Sequence, residues 1–550
     1  MIQNAGFDNF RKFVHLDPQK LGGVTFLVGE NNSGKSTFTK GILLLSYFLD
    51  RGNNIDRVED NSADLKPVNF KDELLRNIYI DSFYQALCSH STSGEITLDC
   101  RLNDYEIRAS ICIPGALRNT QDYKNKKGQL IQDGYDENLI ELSDWTPEVY
   151  SKIRHDNPEF YKKELDKSEA RFNKIEIADY KRGILFCVHD ELKTVNIAEI
   201  DKDLSRQIDT INALLERFNS ESIEYSTLLA QKVTLRKSLF EKAEINQSPY
   251  RYSLDRPHMI DWLIWSEKKL LMNRGKNTTD SKRQQLEDIM GPKIHCSNPK
   301  LINNAEQSYK QLKSTLESFK LEYLYTHSVH QLSSYRNDPL NQGNYVDQTI
   351  SQFWKLKDVP KKYDNAKKFV RKWMNRFSIG EDFKIFPEEG TNNLKAEIMD
   401  NDIWQDLSTK GIGAIQLFLL ILRIGIIISE NNCGYTTIIV EEPEQNLHPA
   451  LQSRLTDFFY EINKEYGCQF IVETHSEYMV RKSQVIVAQE FSTERKVAKN
   501  PFRVLYFPKE GSPYKMSYTK DGDFREEFGT GFYDSASELY QSLIDAKKRR

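Results

Sequence analysis

Residues 24–37 read VTFLVGENNSGKST, an apolar run followed directly by a loop of the form GxxxxGK[ST]. The apolar run predicts a buried strand, and apolar residues at helical spacing after the loop predict an amphipathic helix. Strand, tight loop and helix in this order are typical of a phosphate-binding loop, whose backbone N–H groups surround a phosphate. The helix that begins near Lys35 directs the positive end of its dipole at that anion. These residues therefore predict a nucleoside triphosphate site.

The loop residues have separate expected roles. Gly29 and Gly34 let the backbone turn tightly and approach the phosphates. Lys35 is expected to reach the β- and γ-phosphates, and the Ser36 hydroxyl is expected to bind Mg²⁺. The expected cofactors are ATP and Mg²⁺, and the expected contacts in this loop are Gly29, Asn31, Asn32, Ser33, Gly34, Lys35, Ser36 and Thr37.

Composition excludes several other classes of protein. The chain has 550 residues and is 39% hydrophobic, enough for about two to four domain-sized units. Its net charge of -4 gives no overall nucleic-acid footprint, so any such contact needs a local patch. Seven scattered cysteines without a CxxC pair argue against disulfides and zinc and favour the cytoplasm. The longest apolar stretch, residues 415–428, is interrupted by Gln416 and Arg423, so no membrane span is expected.

Three segments are distinguished by pattern. Residues 1–120 alternate strand and helix signals and form the front of a nucleotide-binding domain, with antiparallel strands expected at 95–101 and 105–113. Residues 121–330 are charged, with apolar residues at helical spacing, and predict a helical insertion. This insertion is either a compact packed set of helices or a coiled-coil hairpin. Strand signals return in residues 331–550.

The stretch 436–449, TTIIVEEPEQNLHP, supplies the second half of an ATP site. A short apolar strand that ends in paired carboxylates suits a nucleotide hydrolase, which must order Mg²⁺ and activate a water molecule. We assign Glu441 to the metal and Glu442 to the attacking water. The segment LSTKGIGAIQ, with Ser408 and Gly411, is expected to open a strongly apolar helix, which would place Ser408 and the following N–H groups at a helix N-terminus that suits a γ-phosphate. His475 directly follows the apolar run 470–472 and is expected to reach the γ-phosphate or the water.

The order of these motifs resembles the ABC-type ATPases of the SMC and OLD kind. That resemblance implies an α/β fold, the ABC-type P-loop ATPase head, with a mixed sheet, flanking helices and a large helical insertion. It also implies a head-to-head homodimer with two ATP molecules between the protomers. Ser408 and Gly411 of one copy then act on the nucleotide held by Lys35 of the other.

A closer resemblance is to compact bacterial ATPases of the AAA ATPase 21 type, and among these to the PtuA-type ATPases of Septu anti-phage systems. It is carried by NFR at 9–11, QLSSYRNDP at 331–339, ETHS at 473–476 and FGTGFYD at 528–534. The resemblance implies an ATPase that converts ATP and water to ADP and phosphate and restrains a PtuB-like HNH nuclease. In some systems it also implies a retron reverse transcriptase with its RNA–DNA product. Glu441 departs from the aspartate of many relatives, which puts the geometry at the metal in question.

Other interpretations remain open. An OLD-type nuclease would need metal-binding acids after His475, where only Asp521-Gly-Asp523 is available and a turn is the ordinary explanation. A DNA-repair ATPase that clamps nucleic acid is favoured by the basic residues of 361–376, although the interleaved aromatic residues suggest core packing. An ABC transporter motor is disfavoured by the long insertion. Arg11 is a candidate nucleotide contact, with a surface arginine as the alternative.

Overall fold

The computed structural model describes residues 1–50, 80–90, 95–112, 170–189, 194–200, 250–251, 299–324, 333–337, 345–430 and 433–529, with single residues between 203 and 235 and at 544. These residues fall into two compact units. The first comprises residues 21–39 and 319–550, and the second comprises residues 2–20 and 40–318.

The strands in the described residues are β1 (Ile2–Phe10), β2 (Phe13–Lys20), β3 (Val24–Gly29), β4 (Glu95–Leu102), β5 (Tyr105–Cys112), β6 (Arg171–Asp179), β7 (Ile184–His189), β8 (Thr194–Glu199), β9 (Tyr250–Arg251), β10 (Lys320–Leu324), β11 (Tyr335–Arg336), β12 (Asp382–Pro387), β13 (Asn393–Asp400), β14 (Ile403–Asp406), β15 (Thr436–Glu441), β16 (Gln469–Glu473), β17 (Phe502–Phe507) and β18 (Tyr514–Met516). The α-helices are α1 (Lys35–Asp50), α2 (Phe83–Ala86), α3 (Pro299–Ser318), α4 (Tyr345–Lys355), α5 (Pro360–Arg376), α6 (Ile412–Ser429), α7 (Pro449–Tyr466), α8 (Glu477–Glu490) and α9 (Glu494–Val497).

The first unit is built on a sheet of order β10-β15-β16-β3-β17-β18. Its first five strands are parallel, and β18 is antiparallel to β17. Strand β3 is buried along its whole length, which explains its continuous apolar sequence, because parallel strands are covered on both faces. The carboxyl ends of β3, β15 and β16 lie at one edge of the sheet, where the predicted site residues follow each strand.

Helix α6 is the main core helix of the first unit. Its 18 residues are apolar enough to cross a membrane by length and composition, but 78% of that stretch is buried inside the protein. The sequence argument that this stretch is too short and too polar for a span was therefore wrong on length and composition. Burial in the core explains the apolar sequence instead.

The aromatic residues of α5 also belong to this core. Phe369 is 5% exposed and Trp373 and Phe377 are each 2% exposed. The Trp373 ring packs edge-on against Phe458, with 4.7 Å between the ring centroids. The prediction that these aromatic residues are core is confirmed, because the helix turns every fourth residue to the same side.

The second unit contains an antiparallel sheet of order β2-β1-β4-β5-β6-β7-β8-β9. The expected pairing of residues 95–101 with 105–113 is confirmed by β4 and β5. Strands β6, β7 and β8 extend the sheet with residues 171–199. The sequence predicted only helices for 121–330, and that prediction is wrong for residues 171–199. The charged composition hid these strands, since residues 175–179 are all buried although they include Glu176 and Asp179.

The end of the insertion also differs from expectation. The sequence predicted one helix through Tyr323, but α3 ends at Ser318 and β10 begins at Lys320. The buried Leu312 and Leu316 confirm the helical part of that pattern. Residues 121–169 and most of 201–298 lie outside the described residues, and with them the choice between a compact insertion and a coiled-coil hairpin.

Candidate nucleotide-binding site

The predicted phosphate-binding loop connects β3 to α1. Gly29 and Gly34 have φ angles of 140° and 112°, which side chains rarely allow, and Asn32 has a φ of 59°. A Cβ atom on Gly29 would lie 2.1 Å from the carbonyl oxygen of Phe507. The loop conformation thus requires both glycines, as predicted.

Lys35 lies folded over this loop. Its Nζ donates hydrogen bonds to the carbonyl oxygens of Gly29, at 3.0 Å, and Glu30, at 2.8 Å. Burial lowers the pKa of Lys35, against the opposing effect of Glu473 and other nearby carboxylates. The ammonium group is therefore held at the loop, where it can exchange carbonyl oxygens for phosphate oxygens.

The other loop residues differ in exposure. Asn31 and Asn32 are exposed, and Thr37 is half-buried in the first turn of α1. Ser33 is 3% exposed, and its hydroxyl oxygen has no hydrogen-bond partner among the described residues. An orphaned buried hydroxyl in a loop with left-handed glycines fits a site for a polar ligand such as a phosphate.

The predicted metal residues, Ser36 and Glu441, contact different partners. The Ser36 hydroxyl donates to Oε1 of Glu473 at 2.7 Å, whereas Oε1 of Glu441 accepts from the Thr39 hydroxyl at 3.4 Å. Residues Glu441 and Glu473 are aligned on the neighbouring parallel strands β15 and β16. Sequence reasoning missed Glu473. The signal was its place at the end of an apolar strand, one residue before Thr474-His475.

The oxygen ligands at this edge fit a magnesium ion. Hydroxyl and carboxylate oxygens are the groups that Mg²⁺ prefers, and the second oxygen of Glu473 is buried without a hydrogen-bond partner among the described residues. Burial, followed by the charge of Glu441, raises the pKa of Glu473 to about 7. A bound cation would favour the ionised form.

The predicted catalytic residues lie close together. Nε2 of His475 lies 3.6 Å from Oε1 of Glu442, and the Gln445 side chain donates to the other oxygen of Glu442. Glu442 has a φ of 42°, and its N–H donates to the Glu473 carbonyl at 2.8 Å. Left-handed backbone at a residue other than glycine is strained and is concentrated at functional sites.

His475 is well placed to act as a neutral imidazole. Burial, and then the positive charge of Lys35, lower its pKa, while Glu442 opposes that shift. A neutral ring offers one donor and one acceptor nitrogen, which suits a hydrogen bond to water or phosphate.

The loop after Glu442 connects this pair to the helix α6. Oε1 of Glu444 accepts from the His475 N–H at 2.6 Å, and Nδ2 of Asn446 donates to Oε1 of Gln416 at 3.4 Å. A Cβ atom on Gly413 would lie 2.5 Å from the Asn446 carbonyl oxygen. Residues 442–447, which we name the coupling loop, therefore contact both His475 and the start of α6.

Ser408 and Gly411 do not share one helix terminus. Ser408 lies in a short 3-10 turn, where its N–H and hydroxyl both donate to Oδ1 of Asp406, at 2.8 and 2.6 Å. Gly411 is the N-cap of α6. The expectation that Ser408 begins the helix is thus corrected, because the Asp406 side chain caps a separate turn ahead of it.

Arg11 belongs to the second unit. It lies in the turn between β1 and β2 with a φ of 50°, and its N–H donates to the Ala86 carbonyl at 2.8 Å. Burial lowers its pKa. Its predicted contact with nucleotide stays a prediction.

Four of the seven basic residues of α5 form ion pairs within the protein. Lys367 and Arg371 lie 3.8 and 3.5 Å from Asp382, and Arg376 lies 2.6 Å from Glu461. Charges that already have acidic partners have less to gain from phosphates. This pairing weighs against a nucleic-acid clamp on α5.

The Asp-x-Asp near the chain end, which an OLD-type nuclease would need, lies in a turn, as the ordinary explanation expects. Asp521 and Asp523 flank Gly522, whose φ is 87°, in a turn closed by a bond from the Thr519 N–H to the Asp523 carbonyl. Within the described residues there is no group of three His, Cys, Asp or Glu able to hold a metal ion.

Solved structures similar to this chain include two Smc head domains at low sequence identity. The Smc head domain with a coiled coil and joint from Pyrococcus yayanosii has a TM-score of 0.34 and 12% identity, covering 95% of this chain and 98% of that chain. An Smc head domain from Pyrococcus furiosus, bound to the C-terminal domain of ScpA, has a TM-score of 0.30 and 11% identity, covering 99% of both chains. No curated protein matches the sequence.

A family model settles the fold class. The model described as AAA ATPase domain matches residues 1–480, most of the chain. The predicted α/β P-loop ATPase fold is thereby confirmed. The chain belongs to the AAA ATPase domain family and is an ATP-hydrolysing enzyme.

Proposed function

We propose that two copies of this chain close on two ATP molecules and that this closure is a switch. Each nucleotide is held by Lys35 and Ser36 of one copy and completed by Ser408 and Gly411 of the other. The observation that carries the proposal is the environment of Gly411. It has ordinary backbone angles, φ -61° and ψ 149°, and a Cβ atom there would meet no described atom within 4 Å.

Nothing in the described part of the chain itself therefore requires a glycine at 411. A glycine in open space suits the close approach of an outside group, because its bare backbone N–H can reach an anion. The next residue, Ile412, is 41% exposed although it is large and apolar. Both features are those of a surface covered in an assembly.

Each site residue of one copy has its own role in ATP hydrolysis. Ser36 and Glu441 would hold Mg²⁺, which when bound would neutralise phosphate charge. Glu442 orients the attacking water and accepts its proton, and His475 donates a hydrogen bond to the γ-phosphate or the water. Glu444 fixes the backbone at His475 through its 2.6 Å contact.

The switch is proposed to act in anti-phage defence in the cytoplasm. It would hold a PtuB-like HNH nuclease, in some systems together with a retron reverse transcriptase and its RNA–DNA product. Support comes from the sequence resemblance and from the turn at Asp521–Asp523, which accounts for the one Asp-x-Asp that an OLD-type nuclease would use.

The test uses Glu442→Gln, which keeps the size of the side chain and removes its charge. With Mg²⁺ and ATP, light scattering after size exclusion should show twice the 64.2 kDa mass of one chain. Adding Gly411→Val should return the mass to one chain, since the new side chain meets the partner and not its own fold. An unchanged mass in Glu442→Gln, with ATP bound, would contradict the dimer.

The same purified protein can be used to test whether the chain itself cleaves DNA. Incubated with Mg²⁺ and plasmid DNA, the purified chain should leave the DNA intact, and cleavage should appear only when the HNH subunit is added. Cleavage by the chain alone would favour the OLD-type nuclease.

A further inference from the structure

The strongest unassigned feature of the nucleotide site is Glu473. It ends β16 directly beside Glu441, which ends β15. The two carboxylates face helix α1 at different points. Glu473 accepts a hydrogen bond from the hydroxyl of Ser36. Glu441 accepts one from the hydroxyl of Thr39, one turn further along the helix.

The hydrogen of the Ser36 hydroxyl decides which carboxylate orients it. A serine hydroxyl has one hydrogen to donate and two lone pairs to accept or to bind a metal. Since the hydrogen is directed at Oε1 of Glu473 at 2.7 Å, the lone pairs are directed elsewhere. A serine fixed in this way is ready to bind a cation without first reorienting.

The other oxygen of Glu473 lacks a partner. Glu473 is 4% exposed, and its Oε2 has no hydrogen bond among the described residues. A buried carboxylate oxygen without a partner is costly, so the site has a polar ligand to gain there. Mg²⁺ usually keeps several of its water molecules, which are hydrogen-bond donors.

We propose that Glu473 is a positioning residue for the cation: its Oε1 orients the Ser36 hydroxyl, and its Oε2 accepts from the water shell of the nucleotide-bound Mg²⁺. Glu441 is then not the only carboxylate that determines magnesium affinity. The inference rests on the ATP site of the proposed function and adds a residue to it.

The experiment measures how much Mg²⁺ strengthens nucleotide binding. The fluorescent analogue MANT-ATP is titrated into the full chain with Mg²⁺ and again with excess EDTA, and the ratio of the two Kd values is compared. We call the factor by which Mg²⁺ strengthens MANT-ATP binding the gain from Mg²⁺. For Glu473→Gln we expect this gain to fall by about 10-fold to 100-fold, the range for residues that orient metal ligands. In EDTA the affinity should stay or improve, because a negative charge near the phosphates is removed.

Ser36→Ala tests the same contact from the other side. It should lose a similar part of the gain. The double variant Ser36→Ala with Glu473→Gln should lose less than the sum of the two single losses, because both remove the Ser36–Glu473 contact and only Glu473→Gln also changes the oxygen that faces the water shell. Additive losses would overturn the inference, because they would mean that the two residues act separately.

Asp347→Asn is the control. Asp347 is also buried, at 7% exposure, but it lies on α4, where its Oδ1 accepts from the Arg336 N–H at 3.0 Å. The ratio of its two Kd values should match that of the unmodified chain. A purely structural role for Glu473 would weaken binding equally with Mg²⁺ and with EDTA.

The outcomes separate this inference from the proposed function. If the unmodified chain does not bind MANT-ATP, the nucleotide site itself fails. If it binds and Glu473→Gln keeps the full gain from Mg²⁺, only the role of Glu473 is overturned. Should Glu473→Gln not fold, Glu473→Asp, which keeps the charge and shortens the reach to Ser36, is expected to lose part of the gain, and an undiminished gain would overturn the inference.

Discussion

The backbone of Glu442 shows how one residue is prepared for chemistry. A φ of 42° at a residue other than glycine costs about 1–3 kcal/mol. The fold maintains it through the bond from the Glu442 N–H to the Glu473 carbonyl. The same conformation starts the coupling loop and leaves the carboxylate within 3.6 Å of His475.

Glu444 gives a pH prediction at the scale of one residue. Burial raises the pKa of this carboxyl above its ordinary value of 4.5, against the hydrogen bond from the His475 N–H. Its ionised form therefore costs more in the folded chain than in the unfolded chain. The stability it contributes is complete below pH 4.5 and is lost as the pH rises through the raised pKa.

Glu444→Gln removes this dependence because the amide does not ionise. The melting temperature of the variant, minus that of the unmodified chain, should therefore increase between pH 5 and pH 8. Scanning fluorimetry of both chains without nucleotide measures it. A difference that falls over this range would contradict the sign.

Glu490→Gln serves as the control for that measurement. Hydrogen bonds from Tyr460 and then Lys464 lower the pKa of Glu490, so its carboxyl is ionised in both states above pH 5. The difference between this variant and the unmodified chain should stay nearly constant from pH 5 to pH 8.

At the scale of elements, the contact between α6 and the coupling loop depends on a missing side chain. Gly413→Ala would place a Cβ atom 2.5 Å from the Asn446 carbonyl oxygen, where backbone must move. We expect a loss of about 1–3 kcal/mol of stability, as in other overpacked cores. A lowered urea midpoint without nucleotide measures it.

Gly411→Ala is the matched control two residues earlier. Because its Cβ atom meets no described atom within 4 Å, the urea midpoint should change little. If Gly411→Ala destabilised the single chain as much as Gly413→Ala, the fold of the single chain would itself require a glycine at 411. The argument that a partner requires it would then fail.

Helix α5 is held in place by two kinds of contact that differ in strength. Its aromatic face is fixed by burial, with Trp373 only 2% exposed, whereas its basic face forms partly exposed ion pairs. Pairs of that kind contribute about 0–1 kcal/mol each, so the helix is held mainly by its aromatic residues.

At the scale of the whole molecule, ATP is expected to stabilise the fold by binding it. Mg²⁺ and ATP at 100 times Kd add about 2.7 kcal/mol to a protein that binds only when folded. The melting temperature of the unmodified chain should rise, and that of Lys35→Ala should not. Lys35 is 3% exposed and bound to its loop, so its loss removes the charge at the phosphates.

Lys372→Ala is the control for that measurement, since Lys372 is exposed on α5 and lies 3.4 Å from Glu465. It should keep the full rise in melting temperature. An equal rise in Lys35→Ala would place the nucleotide elsewhere in the molecule.

Much of the site followed from sequence because its motifs are contiguous. The loop between β3 and α1, the acids that end β15 and the histidine after β16 each need only a strand and the residues that follow it. The parallel strands then bring their carboxyl ends together, as they do in such sheets generally. The composition of 121–330 was less informative, because its strands β6, β7 and β8 lie in a segment rich in charged residues.

The sequence by itself predicted that this chain binds a nucleoside triphosphate, since the backbone of the loop and its lysine form a phosphate site locally. Only the tertiary structure decided which carboxylate accepts the hydrogen bond from the Ser36 hydroxyl. That partner, Glu473, is 437 residues away, and it is selected because β16, not β15, lies beside β3 in the sheet, an order that no local pattern encodes. The place of Ser408 was decided in the same way, by the Asp406 side chain that holds it ahead of α6.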